Sequence, residues 1–209
     1  MAAADAAGTA DSAATPARIV DFLALLERLK RTKRTGWVRS GVSEPESVAD
    51  HSFRMASLAL VLAGAEGTDA SRCIKMALVH DMAEALVGDI TPHCGVSDEE
   101  KHRREAEALE SIKEMLGGGA AAAEVAALWN EYEAGETKEA NLVKDFDKLE
   151  MIVQANEYEQ AQGMDLSGFF NSTRGKWRTP TGAALAEEVE RRYNAHKGVQ
   201  GGGGGERSA

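Results

Sequence analysis

Histidine is scarce in this chain, with five among 209 residues, so where each one falls carries information. His51 shares a helical face with Met55, Leu58 and Leu62, at steps of four, three and four. Taken alone, an imidazole on such an apolar face reads as a satisfied core residue rather than a ligand. His80 and Asp81 are adjacent, and Glu84 lies one helical turn further on, on the same side. Asp89 follows directly after Gly88. This cluster closes a segment that is otherwise apolar (Ile74, Met76, Ala77, Leu78, Val79). The plain alternative is a polar helix end facing water, where carboxylates are usually found. A last carboxylate, Asp147, sits in the run Lys144-Asp145-Phe146-Asp147-Lys148-Leu149. By itself it would read as the partner of Lys144 or Lys148 on a helix surface.

The combination carries more than its parts. Two imidazoles and two or more carboxylates drawn from three helices make a mixed nitrogen and oxygen site. Such a site suits Mn²⁺, Co²⁺, Fe²⁺ or Mg²⁺ better than Zn²⁺. Neither cysteine is placed to complete a structural Cys/His zinc cage. Oxygen-rich ligation with open positions is what metal-assisted hydrolysis needs, since the ion acidifies a bound water and neutralises phosphate charge.

Helices must position these residues. Ile19, Phe22, Leu23, Leu26 and Leu29 recur at helical spacing and predict an amphipathic first helix. A basic loop, Lys30 to Gly41, follows and holds Arg34 and Trp37. Ser47, with Asp50 three residues on, predicts a capped second helix that presents His51. A third helix is predicted from Asp69 or Ser71 to Gly88, carrying His80 and Asp81 near its end. Ser97 with Glu100 opens a long charged helix to Leu116, ended by three glycines. Further helices are predicted at about 121–132, from Thr137 with the stripe Leu142, Phe146, Leu149 and Val153, and at about 181–195. No stretch alternates as a strand would. The predicted fold is all-α, one domain over residues 16–197, with seven or so helices and the metal site between them. Residues 1–15 (Ala-rich) and 198–209 (Gly-rich) read as disordered tails.

Composition narrows the function classes. A net charge of −10 disfavours gripping a nucleic-acid polymer, which needs clustered Lys and Arg. A small phosphorylated substrate is still accessible, because one ion and a local cation can reverse the field inside a pocket. No apolar stretch approaches a membrane span. Two cysteines without a CxxC pattern suit a reducing, cytoplasmic setting. The N-terminal segment lacks the arginines of a transit peptide, although organelle targeting is the competing reading.

The stretches PESVADHSFRMA, ALVHDMAEALVGDITP, EEKHRREAEAL and LVKDFDKLEMIVQANEYE resemble the HD-domain phosphohydrolases, and among them the HD-domain-containing protein 2 group, relatives of the bacterial 5′-deoxynucleotidases. The resemblance covers nearly the whole predicted domain. It implies that His51, His80, Asp81 and Asp147 hold the main metal. Asp147 is preferred to Asp145 because it takes the aspartate position of the family's K-x-x-D pattern, counted from Lys144. It makes Glu84 the acid/base residue, and Glu84, Asp89 and the Ile90 backbone a possible second-metal set. Trp37, Arg34, Asp89, Thr91 and Pro92 would bind substrate. The bacterial enzymes place an arginine directly before the tryptophan, where this chain has Gly36, so Arg34 is expected to reach the phosphate instead.

The implied reaction is hydrolysis of a 2′-deoxynucleoside 5′-monophosphate by a homodimer using Mn²⁺, Co²⁺ or Mg²⁺. The rival readings are an HD enzyme for a cyclic dinucleotide, a triphosphate or guanosine tetraphosphate, and a non-catalytic metal-binding scaffold. The Glu100–Glu105 block reads as a solvated, salt-bridged face. Trp129, Tyr132, Phe146 and Trp177 read as core or interface residues.

Overall fold

The computed structural model describes residues 15–62 and 64–201. Ten α-helices account for the described residues, with short 3₁₀ turns at Ala65–Gly67 and Pro92–Cys94. They are α1 Pro16–Arg31, α2 Thr35–Arg39, α3 Val48–Val61, α4 Ala70–Val79 and α5 Glu84–Val87, followed by α6 Asp98–Leu116, α7 Gly119–Ala134, α8 Lys138–Gln162, α9 Ser167–Thr173 and α10 Pro180–Gly201. The one extended pairing among them is an isolated bridge between Lys33 and Ser47. The all-α expectation holds. The two tail assignments fall largely outside the described residues, although α10 continues several residues beyond the expected stop.

Helix starts follow the predicted caps. The Ser47 side chain accepts from the Asp50 amide, while Asp50 accepts from the Ser47 backbone, a reciprocal box that fixes where α3 begins. Thr15, Asp69, Ser97 and Thr137 cap α1, α4, α6 and α8 from one side only, each side chain accepting from the amide three residues on. The buried face of α1 differs from the expected stripe. Leu25 and Leu29 are buried, with Phe22 and Leu26 packed against them, whereas Ile19 and Leu23 are exposed. The α1 sequence carries apolar residues over too wide an arc to name its inward side alone.

The third predicted helix is broken. Between α4 and α5 the chain tightens, with Met82 N–H bonding Val79 O and Glu84 N–H bonding Asp81 O. These i→i+3 bonds place His80 and Asp81 in a turn, not on a continuous α-helix. Gly88, at φ +77°, then reverses the chain, a conformation that only glycine adopts cheaply. Asp89 is thereby carried to the start of α2, where its Oδ2 accepts from the Thr35 amide at 2.5 Å and its carbonyl from Thr35 Oγ1 at 2.7 Å.

Two cores flank the site. One packs α1, α3, α4, α6 and α7 around Met55, Met76, Ile112 and Phe146. The other gathers Trp37, Ile152, Phe170 and Tyr193 from α2 and α8 to α10. Helix α8 belongs to both and so holds α3 and α10 in fixed relation. Burying these side chains contributes roughly 1.5–3 kcal/mol each.

Candidate metal centre

His51 projects from the first turn of α3 and is fully buried. Its Nδ1 lies 2.6 Å from Glu150 Oε2 of α8. Its Nε2 lies 3.3 Å from Asp147 Oδ1 and 3.8 Å from Asp81 Oδ2. His80 Nδ1 lies 2.9 Å from the Ala77 carbonyl, an acceptor, so that nitrogen must carry the proton. His80 Nε2 is then the lone-pair side, 3.1 Å from Asp81 Oδ2. The two rings are 5.5 Å apart between centroids.

Neither Nε2 makes a hydrogen bond, although both are buried. A buried polar atom left without a partner costs free energy, so its presence calls for an account. Ligand atoms of His51, His80 and Asp81 all lie within 4.8 Å of one another. With His51 in its neutral form, the two Nε2 atoms and the Asp81 carboxylate they share form a donor set that a divalent cation satisfies. The residues present therefore fit a metal ion.

Charge is distributed to match. Arg34 Nη1 is 3.3 Å from Asp81 Oδ2 and its Nη2 is 3.7 Å from Asp147 Oδ1. Burial disfavours ionised Asp81, but His80, Arg34 and His51 outweigh it and hold the carboxyl below the usual range. Burial likewise works against ionised Asp147, and His51 and Arg34 again win. Burial and the Arg34 charge oppose protonation of His51, yet Asp147 and Glu150 raise its pKa to about 9. Glu84 behaves in the opposite sense to the two aspartates. Burial, then the Asp81 and Asp89 charges, push its carboxyl well above the usual range, and its Oε2 has no hydrogen-bond partner.

In front of the fully buried His51 opens a cavity of about 890 Å³. Arg34, His80, Asp81, Glu84 and Asp147 line it together with Asp89, Ile90, Thr91 and Pro92. Trp37 also borders it, but is 1% exposed and donates its indole N–H to Glu46 Oε1 at 2.8 Å. It is a packed wall whose N–H is already used. Phe169, 4.2 Å from Trp37 between ring centroids, lines the cavity beside it.

Asp145 and Asp147 occupy different settings. Asp145 is fully buried and accepts from the Arg178 and Thr179 amides, from Thr179 Oγ1 and from Lys148 Nζ, at 2.7–3.0 Å. It anchors the turn into α10, and Gly182 packs so closely on it that a Cβ there would clash. Asp147, two residues on, opens into the cavity and accepts from Tyr132 Oη at 3.0 Å.

Sequence reasoning missed several residues at this site. Glu150 carries a readable signal, since it lies three residues after Asp147 on one helix face. Tyr132 was expected only in the core; it is buried, but its hydroxyl meets Asp147 and its ring lies 5.0 Å from that of His80. The Glu100–Glu105 block is only partly a solvated face. Arg103 and Arg104 pair outward with Glu100, whereas Lys101 and Glu105 turn inward and line the cavity.

No helix among the described residues is long and apolar enough to cross a membrane. Comparison with known proteins extends the picture. The chain is 45% identical over 186 residues to the Mus musculus protein named 5′-deoxynucleotidase HDDC2, covering 88% of this chain and 92% of that protein. It is 51% identical over 152 residues to the Schizosaccharomyces pombe 5′-deoxynucleotidase hdd1, covering 71% and 76%. A conserved hypothetical protein from Pyrococcus furiosus superposes with a TM-score of 0.70 at 35% identity, over 82% of this chain and 99% of its own. The HD domain family model matches residues 26–186, which span both histidines and the whole of the cavity wall, and this chain belongs to that family.

Proposed function

We propose that this chain is a divalent-metal-dependent 5′-deoxynucleotidase, which hydrolyses 2′-deoxynucleoside 5′-monophosphates to deoxynucleosides and phosphate. One observation carries the reading. Two buried imidazoles, His51 and His80, turn unsatisfied Nε2 atoms toward the shared carboxylate of Asp81, which with His80 and Asp147 lines a nucleotide-sized cavity. The two relatives named as 5′-deoxynucleotidases align with 88% and 71% of this chain.

In this reading His51, His80, Asp81 and Asp147 hold the ion, with Mn²⁺, Co²⁺ or Mg²⁺ favoured over Zn²⁺ by the mixed donors. When bound, a divalent ion would acidify a water, neutralise phosphate charge and favour the ionised form of Glu84. Arg34 binds the phosphate from the side opposite the histidines and holds it for in-line attack. Glu84 takes a proton from the attacking water as the new P–O bond forms and the bond to the 5′ oxygen breaks. Glu84 then returns that proton to the departing oxygen, which leaves as the 5′ hydroxyl of the deoxynucleoside. Trp37 backs the phosphate pocket. The segment Asp89 to Pro92 closes over the sugar, with Asp89 held by Thr35, and discriminates at the 2′ position. Glu84, Asp89 and the Ile90 carbonyl are the donors for a second ion, if the enzyme uses one. A homodimer in the cytoplasm is the setting this reading assumes.

A second reading keeps the centre and enlarges the substrate. Lys101, Lys144 and Lys148 also line the cavity, and they offer charge for further phosphates.

The test is phosphate release from deoxy- and ribonucleoside 5′-monophosphates after chelation and reloading with each ion, with cyclic and triphosphate nucleotides alongside. Deoxy-selective, metal-dependent release that Glu84→Gln abolishes is the expected result. Release from the larger nucleotides alone would replace this reading with the second one.

A further inference from the structure

We propose that Glu150 is a positioning residue for the metal centre: from behind, it holds the His51 ring with its proton on Nδ1 and its lone pair on Nε2, aimed at Asp81 and Asp147. The inference rests on the reading of that centre as a metal site.

The His51 ring has carboxylates on both sides, and they cannot play the same part. Glu150 Oε2 is 2.6 Å from Nδ1, a short contact of the charge-assisted kind. In the assigned arrangement the carboxylate oxygen accepts and Nδ1 donates. A neutral ring that donates through Nδ1 must present its lone pair at Nε2. That is the atom lying 3.3 Å from Asp147 and without a hydrogen bond.

Glu150 is itself held in place. It is 2% exposed, and its Oε1 makes no hydrogen bond. The nearest cation is Arg54, whose Nε lies 3.5 Å from Oε1. Arg54 stands one helical turn after His51 on α3, and its guanidinium bonds Gln154 at 2.7 Å and Glu157 at 3.0 Å, both on α8. A carboxylate buried with so little compensation is an expensive way to stabilise a fold. What it can supply instead is orientation and basicity for the histidine it touches, the part outer residues play around metal-bound imidazoles. Because Glu150 is three residues from Asp147, one rigid helix sets both the ligand and the brace behind its neighbour.

Glu46 provides the alternative. Ligand atoms of Glu46, His51 and Glu150 also lie within 4.8 Å of one another and could hold an ion themselves. Such an ion would have to displace the Nδ1 proton, and Glu46 is already engaged by the Trp37 indole.

The experiment is Mn²⁺ affinity, read from free Mn²⁺ by electron paramagnetic resonance, for the wild type, Glu150→Gln and Asp147→Asn. Glu150→Gln is expected to weaken Mn²⁺ by roughly 10- to 100-fold. KM at saturating Mn²⁺ should hold, which a merely structural role would not allow. A Mn²⁺ affinity within threefold of wild type, while Asp147→Asn binds poorly, overturns this inference alone. A wild type that binds no Mn²⁺ overturns the metal-site reading and this inference with it. If Glu150→Gln does not fold, ¹⁵N spectra of wild-type protein loaded with Zn²⁺ decide the matter. A protonated His51 Nδ1 with metal on Nε2 supports the assignment, and metal on Nδ1 overturns it.

Discussion

Replacing Asp145 and Asp147 one at a time should separate stability from metal binding within a single turn of α8. Asp145→Asn puts an amide NH₂ where an oxygen now accepts. On one side it would face Lys148 Nζ, and on the other the Thr179 amide and hydroxyl. Every neighbour is a donor, so no amide flip relieves the conflict. Removing one partner from a fully buried charged cluster costs about 3–5 kcal/mol. For a domain of this size each kcal/mol moves Tm by roughly 2–4 °C, so a fall of about 6–20 °C is expected. Asp147→Asn is different. Its side chain is 31% exposed, and the Asn carbonyl can still accept from Tyr132. The chelated protein should therefore lose less Tm than Asp145→Asn does. Mn²⁺ affinity should fall by more than about 100-fold, beyond what an outer partner contributes. The assay is thermal unfolding in chelator beside Mn²⁺ titration for both variants. If Asp145→Asn lost Mn²⁺ at unchanged Tm, or Asp147→Asn lost as much Tm as Asp145→Asn, the division of roles would be wrong.

Stability of the metal-free protein should fall as pH rises from about 6.5 to about 9, the interval between the ordinary and the raised His51 pKa. The native state binds more protons there than the unfolded chain, and the raised Glu84 carboxyl pushes in the same direction. Excess Mn²⁺ should flatten the trend and release protons on binding, because ligation needs the neutral ring; a chelated Tm that rises over this range contradicts the assignment. Glu84→Gln should lower kcat by roughly 10²–10⁴-fold while Mn²⁺ affinity holds near wild type, as expected of a proton-transfer group; a matching loss of Mn²⁺ affinity would recast Glu84 as a ligand. Ser47→Ala removes the α3 cap and should cost about 1 kcal/mol, seen as a Tm drop of a few degrees. No change in Tm would mean that the box contributes nothing to where α3 begins.

Much of this architecture is legible in the sequence because caps and glycines act locally. Ser47, Ser97 and Thr137 each mark a helix start through a bond to an amide three residues away. His51, His80 and Asp81 could be drawn together because metal chemistry restricts which residue types share a site. What escaped was set by contacts distant in sequence. The break after Val79 has no Pro or Gly to mark it, and Asp89, further along, is fixed by Thr35, a partner 54 residues back. Asp145 looks equivalent to Asp147 until the 178–179 turn, more than 30 residues on, is seen folded against it. Tyr132 and Lys101 belong to patterns that suit a core stripe and a charged surface, and only the packing of α6 and α7 turns them toward the cavity. The inward side of α1 stayed ambiguous for a simpler reason, an apolar arc wider than the contact it makes.

Anomalous diffraction from crystals grown with Mn²⁺ tests the central claim most directly. The account predicts a strong peak within coordination distance of His51 Nε2, His80 Nε2 and the Asp81 and Asp147 carboxylates, with Arg34 facing it across an open position. A peak between Glu46 and Glu150, or none near the two Nε2 atoms in protein that binds Mn²⁺ in solution, would contradict it.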